Sequence, residues 1–296
     1  MAILALDAGT TGVTALVVSE TGAVISRGYR EFLQYFPEPG FVEHEPEEIW
    51  QATVAAATEA LSQTTTPLSA IGITNQRETI VLWDKHTLRS PRKAIVWQDR
   101  RTAELVQQLK ASGLEPRIQK LTGLGLDPYF SSSKLLWLSI NEPELWLAVN
   151  EGSLKIGTVD SYLVARLTVG AAHVTDASNA SRTQLLDISS GSWSDELLEV
   201  FNVPKSALPK VVPSYGEIAR TDPSSFLNLS LPITGIAGDQ QAALFGQTAF
   251  AVGEGKCTYG TGAFMLTNTG SKIIESQNGL LSTIAWQAPD GSLTYA

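Results

Sequence analysis

The chain has 296 residues, 43% hydrophobic and 17% charged, with a formal net charge of -9 and one cysteine, Cys257. That length suits one large or two medium domains with a sizeable core, and a negative balance that no Lys/Arg cluster relieves argues against nucleic acid and anionic membrane as partners. A lone thiol makes no internal disulfide, no apolar run reaches membrane length and no leader pattern is present, so the chain reads as cytoplasmic, with Cys257 a buried, inert thiol in an apolar strand.

Two apolar runs, Ile3 to Leu6 and Val13 to Val18, flank Asp7-Ala8-Gly9-Thr10-Thr11 and read as a β-hairpin. A third strand follows near Val24 to Tyr29, then the turn-rich stretch Phe36 to Gly40. Pro46 opens a helix with Glu47 and Glu48 in its first turn and an apolar face of Ile49, Trp50, Thr53, Val54, Ala57 and Leu61. The buried strand Ala70 to Thr74 completes a meander, a helix and a parallel strand, which puts the residues after Thr74 at the carboxyl edge of a sheet. Strands at Ile80 to Trp83 and Ala94 to Trp97, with helices near Ala103 to Ala111 and Lys134 to Ile140, form an insertion or lid. Strand Ile156 to Val159 and the helix after Asp160 return to the core, and Ser194 caps a helix that begins Asp195-Glu196.

After the helix Gln240 to Gln247 a second lobe begins near Ala251 and repeats the opening of the chain. Lys256 to Thr258 and Ala263 to Leu266 flank Tyr259-Gly260-Thr261-Gly262, and another strand runs from Leu280 to Ala285. Glycines at such tips let backbone N–H groups approach an anion and threonine hydroxyls add donors, so paired turns from two lobes could hold a polyphosphate. Asp7, in register with the first turn, could hold Mg²⁺ through its waters. The repeat stops inside a strand, so the expectation is a fragment whose residues from Gly253 onward lack cover and are mobile or associate.

Further clusters are Asn75-Gln76-Arg77-Glu78-Thr79, Val96-Trp97-Gln98-Asp99-Arg100-Arg101-Thr102, Asp127-Pro128-Tyr129-Phe130, Asn179-Ala180-Ser181-Arg182-Thr183 and Gly235-Ile236-Ala237-Gly238-Asp239-Gln240-Gln241. With Tyr259 to Phe264 they resemble the FGGY carbohydrate kinases over essentially the whole chain. The resemblance implies an α/β, actin-like ATPase fold of the ribonuclease-H type, with residues 1–250 as the first domain and 251–296 as the start of a truncated second one. It also implies transfer of phosphate from ATP to a small polyol, glycerol first of all, giving ADP, with Mg²⁺ as cofactor and a homo-oligomer at full length.

By that resemblance Arg77, Glu78, Trp97, Tyr129, Asp239, Gln240 and Phe264 contact the polyol. Arg77 donates and Glu78 accepts, so neighbouring hydroxyls are held in both hydrogen-bond senses. Trp97 and Phe264 flank the carbon chain and Tyr129 donates to a hydroxyl. Asp239, at a helix start where N–H groups and the dipole favour an ionised carboxylate, becomes the base for the attacking hydroxyl, although an aspartate there is equally an ordinary N-cap. Thr10, Thr11, Gly260 and Thr261 contact nucleotide phosphates, and Asp7 positions the metal. A kinase for another polyol or a ketose such as xylulose is the alternative. A non-catalytic actin-like nucleotide-binding protein is the alternative of another class, against which the Arg77, Glu78 and Asp239 set argues.

Overall fold

The computed structural model describes residues 1–260 and 262–296. Thr261, expected at a phosphate turn, lies outside the described residues. Ala2, Leu4, Leu6 and Ala8 are buried along Ala2–Ala8, and Val13, Ala15 and Val17 along Gly12–Ser19, the period of two expected of strands packed on one face. They belong to a six-stranded sheet in the order Tyr215–Arg220, Pro232–Gly238, Leu68–Asn75, Ala2–Ala8, Gly12–Ser19, Val24–Glu31. The middle three strands run parallel and the flanking pairs antiparallel. Asn75 pairs with Ala8 on one side and Gly238 on the other, so three chain segments leave the sheet in one row.

Helix Pro46–Ser62 begins with its proline where no N–H is needed and buries Ile49, Trp50, Thr53, Ala56, Ala57 and Ala60 against the sheet. Its approach to strand Val24–Glu31 is close enough that a Cβ on Gly28 would lie 2.0 Å from the Ala56 carbonyl oxygen. Helix Val159–Leu167 joins the same core.

The expected insertion has an apolar core of its own, containing Leu82, Ile95, Val106, Leu135, Ile156 and Phe201. Within it, strand Leu154–Gly157 pairs antiparallel with Val81–Asp84 and does not join the large sheet, which corrects the expectation that this strand returns to the main core. Only the helix that follows does so. Ala94–Ile95 is shorter than expected because the chain turns at Val96, whose carbonyl accepts from Asp99 N.

The second Gly-Thr turn closes a hairpin of Gly255–Tyr259 and Ala263–Thr267. Cys257 is exposed, not buried. Strand alternation turns Lys256 inward and Cys257 and Tyr259 outward, and among the described residues nothing covers that outer face. A further strand is Ile284–Gln287, beginning later than expected because Leu280 and Leu281 are exposed. It pairs with Leu293–Tyr295. Ile284 and Tyr295 pack with Ala177, Ala180, Leu186 and Ile188, and Tyr295 donates its hydroxyl to the Ile188 carbonyl at 2.8 Å. The segment after Gly253 is therefore docked at its far end, contrary to the expectation of a wholly mobile tail. Among the described residues no helix is long and apolar enough to cross a membrane.

Hydrogen exchange tests this docking. The Ile284, Tyr295 and Ala296 amides, bonded to Ser181 Oγ, Gly270 O and Thr283 O, should exchange slowly, and the exposed tip around Tyr259 and Gly260 rapidly. Uniformly fast exchange from Gly253 onward would show that the far hairpin does not pack.

Candidate active site at the carboxyl edge of the sheet

Three strands that end in one row deliver Gly9-Thr10, Gln76-Arg77-Glu78 and Asp239 to a common edge. The row is tied from beneath. Asn75 and Asn179 exchange side-chain amide hydrogen bonds at 3.1 and 3.2 Å, Asn179 Nδ2 also donates to Asp176 Oδ1, and Ser178 Oγ accepts from Gly238 N at 3.0 Å. Asp176 caps the short helix Ala177–Ser181 that carries these groups. Above, Gln76 donates from its backbone to Ala8 O and from its side chain to Gly9 O, locking the first turn to the Arg77 segment.

Arg77 is buried. Its Nε lies 3.0 Å from Asp239 Oδ1 without hydrogen-bond alignment, while its two terminal nitrogens donate to Gln241 Oε1 and the Tyr129 hydroxyl, each at 3.2 Å. The plane sits over the Phe264 ring, 5.3 Å from its centre. Gly238 is obligatory here, since a Cβ would fall 2.6 Å from Arg77 Cδ. Glu78 has φ +60 and is bridged by a hydrogen bond from Thr79 N to Arg77 O, a strained three-residue turn that points consecutive side chains into the site.

Arg182 holds Glu78, its Nε donating to Oε1 at 2.8 Å, and lies over the Tyr129 and Phe130 rings. Lys134, fully buried, donates to the carbonyls of Pro128, Tyr129 and Phe130 and so braces the loop that presents Tyr129. Trp97 meets Tyr129 and Phe264 edge-on, with ring centres 5.7 and 6.2 Å apart, and donates Nε1–H to Thr10 Oγ1 at 3.0 Å. A cavity of about 420 Å³ opens beside Arg77, Arg182 and Phe264.

Asp239 corrects one expectation. Its carboxyl is pushed up, first by burial and next among the raising influences by the Glu78 charge, whereas Arg77 and the Gln240 N–H act against the rise. The helix start thus does not dominate. Asp7 lies along a groove of about 450 Å³, reaching accessible surface yet mostly enclosed by protein. That enclosure, then the Asp239 charge, raises its carboxyl to about 6. Thr11 and Gly260 are exposed at the two turns; Gly9 N donates to Gly12 O and Gly260 N to Gly262 O, both at 3.0 Å. Gln240 is buried, and its side-chain oxygen is taken by Lys256 Nζ.

The structure thus gathers Arg77, Glu78, Tyr129, Trp97, Asp239 and Phe264 and leaves Gln240 turned to Lys256. Sequence reasoning assigned no role to Arg182, Gln241, Lys134 or Lys256. Arg182 and Gln241 stand inside noted clusters, whereas nothing local marks Lys134 or Lys256 as more than surface cations.

A buried cation thus stands between carboxylates at a strand edge, walled by aromatics, on an α/β fold of the actin-like ATPase type. Residues 2–246 match the FGGY family of carbohydrate kinases, N-terminal domain, and the chain belongs to that family. It is 49% identical over 297 residues to a glycerol kinase of Geobacillus sp. (strain WCH70) and 50% identical over 302 residues to glycerol kinase 2 of Sulfolobus acidocaldarius, each alignment covering 99% of this chain. It covers 60% and 59% of those proteins, so it spans about three fifths of their length. The crystal structure of Plasmodium falciparum glycerol kinase with ADP superposes with a TM-score of 0.93 at 36% identity, over 99% of this chain and 60% of that one. A xylulose kinase from Rhodospirillum rubrum shares the fold at a TM-score of 0.89 and 21% identity, covering 100% of this chain and 59% of that one.

Two measurements test the electrostatics. Arg182→Met leaves Glu78 a buried carboxylate without its closest partner and should lower stability to urea by about 3–5 kcal/mol; a loss under about 1 kcal/mol would mean that Arg77 takes Glu78 over. At Asp7 the native state binds its proton more tightly than the unfolded chain, so this group favours folding at low pH and its contribution is lost as pH rises from about 4 to about 6. Asp7→Asn should flatten that part of the stability profile. An unchanged slope would remove Asp7 as its source.

Proposed function

We propose that the chain carries the polyol clamp and phosphate turns of an ATP-dependent kinase that converts glycerol to sn-glycerol 3-phosphate, with residues 1–250 forming its first domain and 251–296 the beginning of the second. The observation that carries this reading is the meeting of Arg77, Glu78, Tyr129 and Asp239 between the Trp97 and Phe264 rings. Adjacent donors and acceptors under narrow aromatic walls match a short carbon chain with neighbouring hydroxyls. The relatives named glycerol kinase support that choice of substrate.

In the reaction the terminal hydroxyl of glycerol gives its proton to Asp239 as its oxygen attacks the γ-phosphorus. The bond from that phosphorus to the bridging oxygen breaks, and ADP leaves with the electron pair. The raised carboxyl of Asp239 makes it a stronger base than an open-solvent aspartate, and the Arg77 ion pair holds it in place. Thr10, Thr11, Gly260 and Thr261 contact the phosphates. Gln240, the neighbour of Asp239, contacts the polyol through the part of its amide that Lys256 does not take.

Asp7 fits Mg²⁺. It is a recessed carboxylate whose charge is disfavoured by its surroundings and by Asp239, and among the described residues no group of three or more His, Cys, Asp or Glu forms a metal cage of its own. One carboxylate plus waters and nucleotide phosphates is the donor set that this cation accepts, and when bound it offsets phosphate charge.

A substrate panel on the full-length protein tests the reading. Glycerol should be phosphorylated with a higher kcat/KM than xylulose or longer polyols, and Asp239→Asn should lower kcat by about 10²- to 10⁴-fold with little change in nucleotide binding. Preference for a ketose would reassign the substrate, and full activity of the Asn variant would remove Asp239 as base.

A further inference from the structure

Lys256 is a buried cation that the clamp and base leave unused. It stands on strand Gly255–Tyr259, the strand that leads into the second Gly-Thr turn, and its side chain faces inward at 8% exposure. Its Nζ donates to Gln240 Oε1 and, at 2.9 Å, to Thr258 Oγ1, both neutral oxygens. Among the described residues no carboxylate lies within 4.0 Å of it. Burying an ammonium against neutral acceptors alone is costly, and a protein retains such a group where a partner of opposite charge arrives later. Gln240 is the neighbour of Asp239, so the ammonium stands beside the reacting edge.

We propose that Lys256 is a catalytic residue for the phosphoryl transfer, its ammonium meeting the oxygens of the transferring γ-phosphoryl group. The inference rests on the kinase reading. Thr258 and Gln240 use two of its three N–H donors, and the third is left for an anion. Burial, together with the Arg77 charge, lowers its pKa to about 8, while Asp239 and the Cys257 thiol favour the charged form; at neutral pH it remains mostly cationic. As the glycerol oxygen bonds to phosphorus and the bridging bond to ADP breaks, charge shifts over the phosphoryl oxygens, and a fixed ammonium stabilises that distribution without giving up its proton. Since the lysine sits on the strand beyond Ala251, the same contact links the second phosphate turn to the base on the first domain.

The full-length protein is assayed as wild type, Lys256→Met and Lys256→Arg, with binding of ADP and of β,γ-imido-ATP measured by calorimetry. Lys256→Met should lower kcat by about 10²-fold or more, leave the KM for glycerol within about threefold, and lose about tenfold in its preference for the imido triphosphate over ADP; Lys256→Arg should recover much of both. Should Lys256→Met misfold, Lys256→Cys in a Cys257→Ser background, treated with bromoethylamine beside its Cys257→Ser parent, should regain turnover only after the amine is restored. A variant with reduced thermal stability but unchanged kcat and unchanged triphosphate preference would overturn the proposal, leaving Lys256 as a tie between hairpin and helix. A wild type that fails to phosphorylate glycerol while Lys256→Met still loses the triphosphate preference would sink the substrate reading and leave the lysine assignment standing.

Discussion

Everything at this site depends on where three parallel strands stop. Because Asn75 is in register with Ala8 and Gly238, the residues one to three positions further on must emerge side by side. Apolar alternation on the buried face sets which strand side chains point inward. The Asn75–Asn179 amide exchange and the Ser178 bond to Gly238 N add polar ties at the strand ends. A slip of one residue would leave several buried amides unpaired, so the same network that costs desolvation also selects the arrangement.

The second constraint is charge. Among the described residues Arg77 is the one cation within 4.0 Å of Asp239, and it stands between that carboxylate and Glu78, which Arg182 also pairs. This division of labour matters. If Arg77 alone had to balance both acids, its N–H groups would be fully committed, whereas with Arg182 holding Glu78 the Arg77 fork reaches Tyr129 and Gln241 as well. At Asp7 enclosure raises proton affinity first and the Asp239 charge second, whereas at Asp239 burial leads and the Glu78 charge follows among the raising influences.

The two halves of the site differ in how they are supported. The clamp rests on strand ends and on a loop braced by Lys134, while the second turn projects on a two-stranded hairpin whose outer residues Cys257, Tyr259 and Met265 are exposed. Lys256 joins the halves through Gln240.

How much of this was legible follows from range. The first hairpin, the Pro46 helix, the parallel strand after it and the second hairpin announce themselves through periodicity and turn residues, because each depends on neighbours within a few positions. Arg77, Glu78, Asp239 and the aromatic residues were legible only as members of long motifs, for an arginine beside a glutamate carries no local sign of function. The partner of each charge was not legible at all. That Arg182 serves Glu78 and that the far hairpin docks on Ala177 and Ala180 are outcomes of contacts between residues about a hundred positions apart in the chain. The sequence by itself determined which segments become strands and helices and which residue types gather at the turns. Tertiary structure decided the protonation of Asp239 and Asp7, because burial and the distance to other charges exist only once the chain has folded.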